Sequence, residues 1–293
     1  MTESAEPPEE ADVKLLADAL LSAVEHGADT TDADASRVPH VLSTAAFALR
    51  DLGTDFVRRY HRLEIDAPST ALDTPVLFVA NHGFGGIFDL NVFATGAALD
   101  QLHLDRPVTI LTHQLAWILG VGPLIEPLGA RPASQHSADE AFGEGHHVLV
   151  FPGGDLDASK SWEDRNHIVF GGRSGFARLA IEHEVPIVPV VTAGAGESLF
   201  VISSGERLAR AIHLDKLLRV KSAPITVSLP WGLSIGAVGI LPYLPLPTKL
   251  HTRILSLMRA DAGEQPDDYA ARVQASMQRA LTEMTRRRLP ILG

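Results

Sequence analysis

Asn81 and His82 end an apolar, partly β-branched run, Pro75-Val-Leu-Phe-Val-Ala80, and lead into a loop softened by Gly83, Gly85 and Gly86. Asp89 follows seven residues after the histidine. Such a loop can fold back so that the carboxylate meets one imidazole nitrogen while the other faces outward. A neutral imidazole held in this way is a general base that works near neutral pH. It can take the proton of an alcohol as the oxygen attacks a carbonyl. The glycines leave room for a substrate, and backbone N–H groups can stabilise a developing oxyanion. The same residues also fit a plain turn, with Asp89 as the N-cap of the next helix. The segment alone does not choose between the two.

A second segment, Leu149-Val-Phe-Pro-Gly-Gly-Asp-Leu-Asp157, repeats the pattern of a strand that ends in glycines followed by acids. Ligands of open α/β sheets gather at the carboxyl ends of strands. Two Gly-rich strand ends pointing the same way would therefore line one crevice. A bare Pro-Gly-Gly is also an ordinary tight turn.

These segments need a sheet to hold them. Short apolar runs at 75–80, 108–111, 148–151 and 186–191 read as buried strands. Helical periodicity separates them, with Asp89, Val92 and Phe93 in one helix and Phe176, Leu179 and Ala180 in another, from Gly172 to Glu184. Strands alternating with helices predict an α/β fold, a mixed and mostly parallel central sheet flanked by helices. In front of it stands an N-terminal helical segment. Residues 1–11 read as a disordered acidic tail, 12–62 as N-terminal helices and 63–293 as the catalytic domain. The stronger N-terminal helix, about Pro39–Arg59, shows Leu42, Ala45, Leu49, Leu52 and Phe56 on one face. A helix at Glu206–Arg219 mixes four basic side chains with leucines, which suits either a solvated face or a surface meeting anionic lipid headgroups. The last helix, about Pro266–Arg288, opens on Asp267 and Asp268 and closes on Arg286, Arg287 and Arg288, each set complementing the helix dipole.

Composition removes several alternatives. Residues 1–36 hold ten acidic side chains and one lysine, and the other 257 residues hold 26 acidic and 24 basic ones. The folded body is thus nearly neutral, without the concentrated basic face of a nucleic-acid binder. No cysteine is present, which excludes disulfides, thiolate metal sites and cysteine nucleophiles and suits a reducing compartment. The thirteen histidines show no metalloprotease-type pair, so no metal is expected. Neither Gly171-Gly-Arg-Ser-Gly175 nor Gly194-Ala-Gly-Glu-Ser198 has the spacing of a serine-hydrolase elbow, and Gly83-x-Gly-Gly86 is not a dinucleotide fingerprint. The uncharged stretch Ser222–Thr248 is long enough to cross a bilayer, but five prolines break it. It is expected to form buried strands and turns, in part at a membrane interface.

As a set, the motifs resemble the glycerolipid and lysophospholipid acyltransferase superfamily. Asn81-His82 after a Val/Phe-rich strand looks like its first motif, Phe151-Pro-Gly-Gly154 like its Phe-Pro-Glu-Gly, and Val185-Pro-Ile-Val-Pro-Val190 like its final apolar motif. Gly172-Arg-Ser-Gly-Phe-Ala-Arg-Leu-Ala180, Leu229-Pro-Trp-Gly-Leu233 and Leu244-Pro-Leu-Pro-Thr-Lys249 resemble a diacylglycerol-acyltransferase-like branch. The resemblance covers about Leu63 to Leu289. It implies that His82 is a general base oriented by Asp89. A fatty acyl group would pass from acyl-CoA or acyl carrier protein to a hydroxyl of a glycerolipid or lysophospholipid. Acyl-CoA would serve as co-substrate, with no resident cofactor. Asn81, Gly85, Gly86, Phe151, Pro152, Gly153, Gly154 and Asp157 would line the substrate site. Arg131 and Arg173 are candidate anion contacts. Such a protein would be cytoplasmic and lie peripherally on a membrane. Three positions depart from the pattern. Ile87 stands where the superfamily places its aspartate, Gly153 replaces the motif glutamate, and Asp157 stands where the closer branch has glutamate. They leave a second reading, a catalytically inactive lipid-binding protein of the same fold.

Overall fold

A computed structural model describes residues 38–68, 72–83, 89–118, 120–205, 224–236 and 243–293. The site is positioned by a seven-stranded sheet. Its elements are β1 (Glu64–Asp66), β2 (Leu77–Ala80), β3 (Val108–Thr112), β4 (Ala130–Pro132), β5 (His147–Val150), β6 (Ile187–Ala193) and, later in the chain, β10 (His251–Ile254). The spatial order is β1-β10-β6-β2-β5-β3-β4. From β6 to β4 every pair is parallel, and β10 joins β6 antiparallel with β1 parallel to β10 outside it. The fold is thus α/β, with a mixed, mostly parallel sheet flanked by helices and a helix at the N-terminal side.

The central strands are continuous apolar runs because both faces are covered. Every residue of β2, β5 and β6 is buried. Alternation then divides the core. Leu77, Val79, Val148 and Ile187 face one layer, where they meet Phe176 of α7 (Gly175–Glu182) and Tyr269, Val273 and Met277 of α8 (Pro266–Thr285). Phe78, Ala80, Leu149 and Val188 face the other, where they meet Ala98 and Leu99 of α2 (Leu90–Asp100). The helix α1 (Val38–Arg59) packs across α2. The remaining helices are α3 (Leu115–Ile118), α4 (Gly122–Ile125), α5 (Gln135–Gly143) and α6 (Gly154–Ala158).

Several expectations change. Of the predicted inward face of α1, Leu42, Ala45, Leu49 and Phe56 are partly buried and Leu52 is exposed. Ala46 and Val57 beside them are fully buried, and Gly53 lies against the Phe93 ring, where a side chain would collide. The strands β1, β4 and β10 escaped prediction because they are three or four residues long and mix charges with apolar side chains. The C-terminal helix stops at Thr285. Arg288 does not serve its end; it turns inward to pair with buried Glu197 at 2.8 Å. The stretch Ser222–Thr248 is buried only in part: the described residues Pro224, Thr226, Ser228 and Thr248 are buried, but most of the described apolar side chains are exposed. Its described residues include β8 (Ile225–Ser228) and β9 (Gly232–Ile235), which join β7 (Phe200–Ser203) in a separate antiparallel sheet, β7-β8-β9, and carry outward-facing apolar side chains. The helices expected at 12–25 and Glu206–Arg219 lie outside the described residues. No helix among the described residues is long and apolar enough to cross a membrane.

Candidate active site

Register brings the two Gly-rich strand ends together. β2 and β5 are adjacent and parallel, with Val79 opposite Val150, so the residues that follow them emerge side by side. The His82 and Phe151 rings meet with centroids 4.7 Å apart at a 34° tilt. On the other side, Asn81 extends the β2–β6 pairing with its side chain. Its Oδ1 accepts from Thr192 N at 2.9 Å and its Nδ2 donates to Thr192 O at 3.1 Å. Asn91 Nδ2 donates to Asn81 O at 2.7 Å, which ties the first turn of α2 to the strand tip.

Asp89 has two tasks. Its Oδ1 accepts from Asn91 N at 2.8 Å as the N-cap of α2. Its Oδ2 bonds to His82 Nδ1 in a short contact. The aspartate therefore reaches the histidine although it stands two positions beyond the superfamily's usual place. Both alternatives the sequence left open hold at once, the cap and the partner. With Nδ1 occupied, Nε2 is the nitrogen left to accept a proton, and the side chain keeps 17% exposure. A carboxylate fixing one imidazole nitrogen sets the tautomer and stabilises the imidazolium.

Beneath the histidine lies a buried ion pair. Asp157 Oδ2 accepts from His82 N at 2.7 Å and its Oδ1 from Val169 N at 2.9 Å. Lys160 Nζ sits 2.8 Å from Asp157 Oδ1 and donates to His167 O at 2.7 Å and to His82 O at 3.4 Å. Both side chains are withdrawn from solvent. The peptide of His82 is thus held at its N–H by the acid and at its carbonyl by the ammonium. Lys160 was missed in the sequence reading. Its signal was an opposite charge three residues after Asp157, a helix-turn spacing. Gly153 supplies the space: a side chain there would run into Cβ of Asp157 and lie 2.7 Å from Val169 O.

The remaining predicted contacts divide between scaffold and mouth. Asn81, Asp157 and Gly153 are buried under the loop, while Phe151, Pro152 and Gly154 are partly open beside His82. Arg173 braces the Pro-Gly-Gly turn. It donates to Pro152 O and Gly153 O and pairs with Asp155 at 2.8 Å. Arg131 is not brought to the histidine. It lies on β4, three strands from β2 and so roughly 14 Å away at ordinary strand spacing, paired with Glu144 at 2.6 Å. Gly85 and Gly86 fall outside the described residues. Partly buried Tyr243, which the sequence did not flag, has its hydroxyl pushed well above the usual tyrosine range by desolvation, with the negative field of Asp89 acting in the same direction. A concavity lined by Thr74, Phe142, His183 and Arg259 opens at the other end of the strands, away from this site. Among the described residues no group of three or more His, Asp or Glu stands where a metal ion could be held.

Fold and site together define an α/β domain with a carboxylate-held histidine at a central strand tip. Residues 53–193 match the family model described as Acyltransferase. An uncharacterized protein of Mycobacterium tuberculosis is 29% identical over 213 residues, covering 72% of this chain and 55% of the relative. Proteins named DGAT1/2-independent enzyme synthesizing storage lipids are similar too. The Bos taurus one is 29% identical over 65% of this chain and 55% of its own length, and the Homo sapiens one 31% over 59% and 51%. The chain thus spans about half the length of these relatives. Among solved structures, the 1-acyl-sn-glycerophosphate acyltransferase PlsC of Thermotoga maritima aligns over 94% of this chain and 90% of its own, with 16% identity and a TM-score of 0.48.

Proposed function

We propose that the protein moves a fatty acyl group from a thioester donor, acyl-CoA or acyl carrier protein, to a hydroxyl of a glycerolipid. The observation that carries this reading is the His82–Asp89 pair at the tip of β2 beside the Phe151–Gly154 turn. His82 Nε2 takes the proton of the acceptor hydroxyl as the oxygen attacks the thioester carbonyl carbon. The tetrahedral intermediate collapses with loss of the thiolate, which receives the proton from the imidazolium. Asp89 stabilises that cation while it exists. No acyl-enzyme is formed.

The acceptor is a neutral mono- or diacylglycerol rather than a lysophosphatidic acid. Both arginines put forward as anion contacts spend their charge on carboxylates, Arg131 on Glu144 and Arg173 on Asp155. The bovine and human relatives, whose names concern storage lipids, point the same way. A lipid acceptor also places the protein peripherally on a membrane surface.

The test is an acyl-CoA assay against mono- and diacylglycerol, lysophosphatidic acid and other lysophospholipids, with products identified by mass. His82-dependent acylation of the neutral acceptors is expected. Lipid binding without His82-dependent turnover on any acceptor would instead make the chain a lipid-binding relative that has lost catalysis.

A further inference from the structure

The small sheet β7-β8-β9 is built inside out. Phe200 pairs with Val227 and Val227 with Leu233, while Ile225 pairs with Ile235. Directly paired residues share a face, and on this face the apolar side chains point to solvent. Phe200, Ile202, Val227, Leu229, Leu233 and Ile235 are all exposed, Leu233 at 68% and Leu229 at 62%. Trp231 stands out between β8 and β9. The opposite, buried face carries Thr226 and Ser228 beside Val201. A half-exposed antiparallel sheet in water shows the reverse order, apolar in and polar out. A contiguous apolar face of this kind marks a binding surface.

Two features identify what it meets. First, its rim is basic. Exposed Leu244 bridges to Leu229, and the chain just beyond it is fastened to the end of α1, with Tyr60 Oη donating to Pro245 O at 2.9 Å and Arg62 to Pro247 O at 2.7 Å. That end presents Arg58, Arg59 and Arg62 to solvent, and among the described residues Asp55 is the acid paired with them, through Arg59. Second, the face adjoins the site. Tyr243, which precedes Leu244, packs against Leu199 and Val201, and Ala195, a few residues before them, lies against Gly83 beside His82.

We propose that the outward face of β7-β8-β9, with the arginines at the end of α1, seats the protein on an anionic phospholipid bilayer and delivers its lipid substrates to His82 from that side. The apolar side chains enter the headgroup boundary while the arginines meet anionic headgroups. The delivery rests on the acyl-transfer reading; the docking itself does not.

The test uses the full chain and phosphatidylcholine vesicles with or without phosphatidylglycerol, followed by co-sedimentation. Binding that requires the anionic lipid and weakens with salt is expected. Leu229→Ser with Leu233→Ser is expected to weaken it roughly tenfold or more, and Arg58→Gln with Arg59→Gln to remove the preference for anionic lipid. Brominated lipid should quench tryptophan fluorescence in the wild type and much less in Trp231→Phe. Turnover of a short-chain, water-soluble acceptor should be unchanged in the leucine variant, while turnover of vesicle-embedded acceptor falls. Wild-type vesicle binding by the leucine variant would overturn the proposal. So would a concentration-dependent dimer abolished by the same substitutions, or a Trp231 shielded from lipid and aqueous quencher alike. Patch-dependent binding without turnover of any acceptor would leave the docking face standing and sink the acyl-transfer reading alone.

Discussion

Lys160 and Asp157 form a buried ion pair at 2.8 Å directly under the histidine loop, one holding the carbonyl of His82 and the other its N–H. Breaking such a pair from one side leaves an uncompensated charge in the interior, at a cost of about 3–5 kcal/mol. Lys160→Met should therefore lower the melting temperature by several degrees. It should also slow turnover, because the carbonyl of His82 loses the ammonium that holds it. Lys160→Arg should restore much of both properties. A Lys160→Met variant as stable and as active as the wild type would show that the pair does not support the loop.

The two oxygens of Asp89 can be separated by mutation. Asparagine caps helices about as well as aspartate but cannot stabilise an imidazolium. Asp89→Asn should keep the melting temperature within a degree or two while kcat falls roughly 10²-fold or more. His82→Ala should reduce turnover by about 10²- to 10⁴-fold. Thermal unfolding and product formation on the same preparations decide the matter, and full activity in either variant would remove the pair from the mechanism.

Gly153 is set by Asp157. A methyl group there overlaps the Asp157 side chain, so Gly153→Ala should cost about 1–3 kcal/mol and slow turnover by displacing the support of His82. Gly153→Glu, the residue of the wider superfamily's motif, should be worse still. A Gly153→Ala variant as stable and active as the wild type would show that the turn yields freely. Circular dichroism melts alongside initial rates provide the comparison.

Acid sensitivity should centre on His147. This residue is fully buried, its Nδ1 accepts from Val76 N at 3.1 Å, and burial pushes its pKa down to about 4. The folded form resists protonation while the unfolded chain protonates near 6.5. Its contribution is therefore intact above about 6.5 and declines as pH falls toward 4, by up to roughly 3 kcal/mol. His147→Asn keeps an acceptor near Val76 N and removes the titration. Urea unfolding at pH 7.5, 6 and 5 should show a shallower loss for the variant than for the wild type; equal slopes would assign the acid sensitivity elsewhere.

The central strands were legible because burial on both faces leaves one signature, an unbroken apolar run, as in Leu77–Ala80 and Ile187–Ala193. The histidine loop was legible as a candidate site, from glycines and a carboxylate beside a strand end, but the choice between a held base and a plain turn was not, because the His82–Asp89 contact forms only in the fold. Local sequence offered Asp89 as a cap, since capping depends on the next two residues alone. Other features depend on what lies across space. Only the packed sheet shows that Asp157, Asn81 and Arg173 support the loop, because their partners are 75, 111 and 18 to 21 residues away. Lys160 reads as an ordinary surface lysine until the fold buries it against Asp157. The apolar stretch after Ser222 reads as core because composition cannot say which side of a strand faces solvent. That choice belongs to the pairing of β7, β8 and β9, which turns the leucines outward and the hydroxyls in.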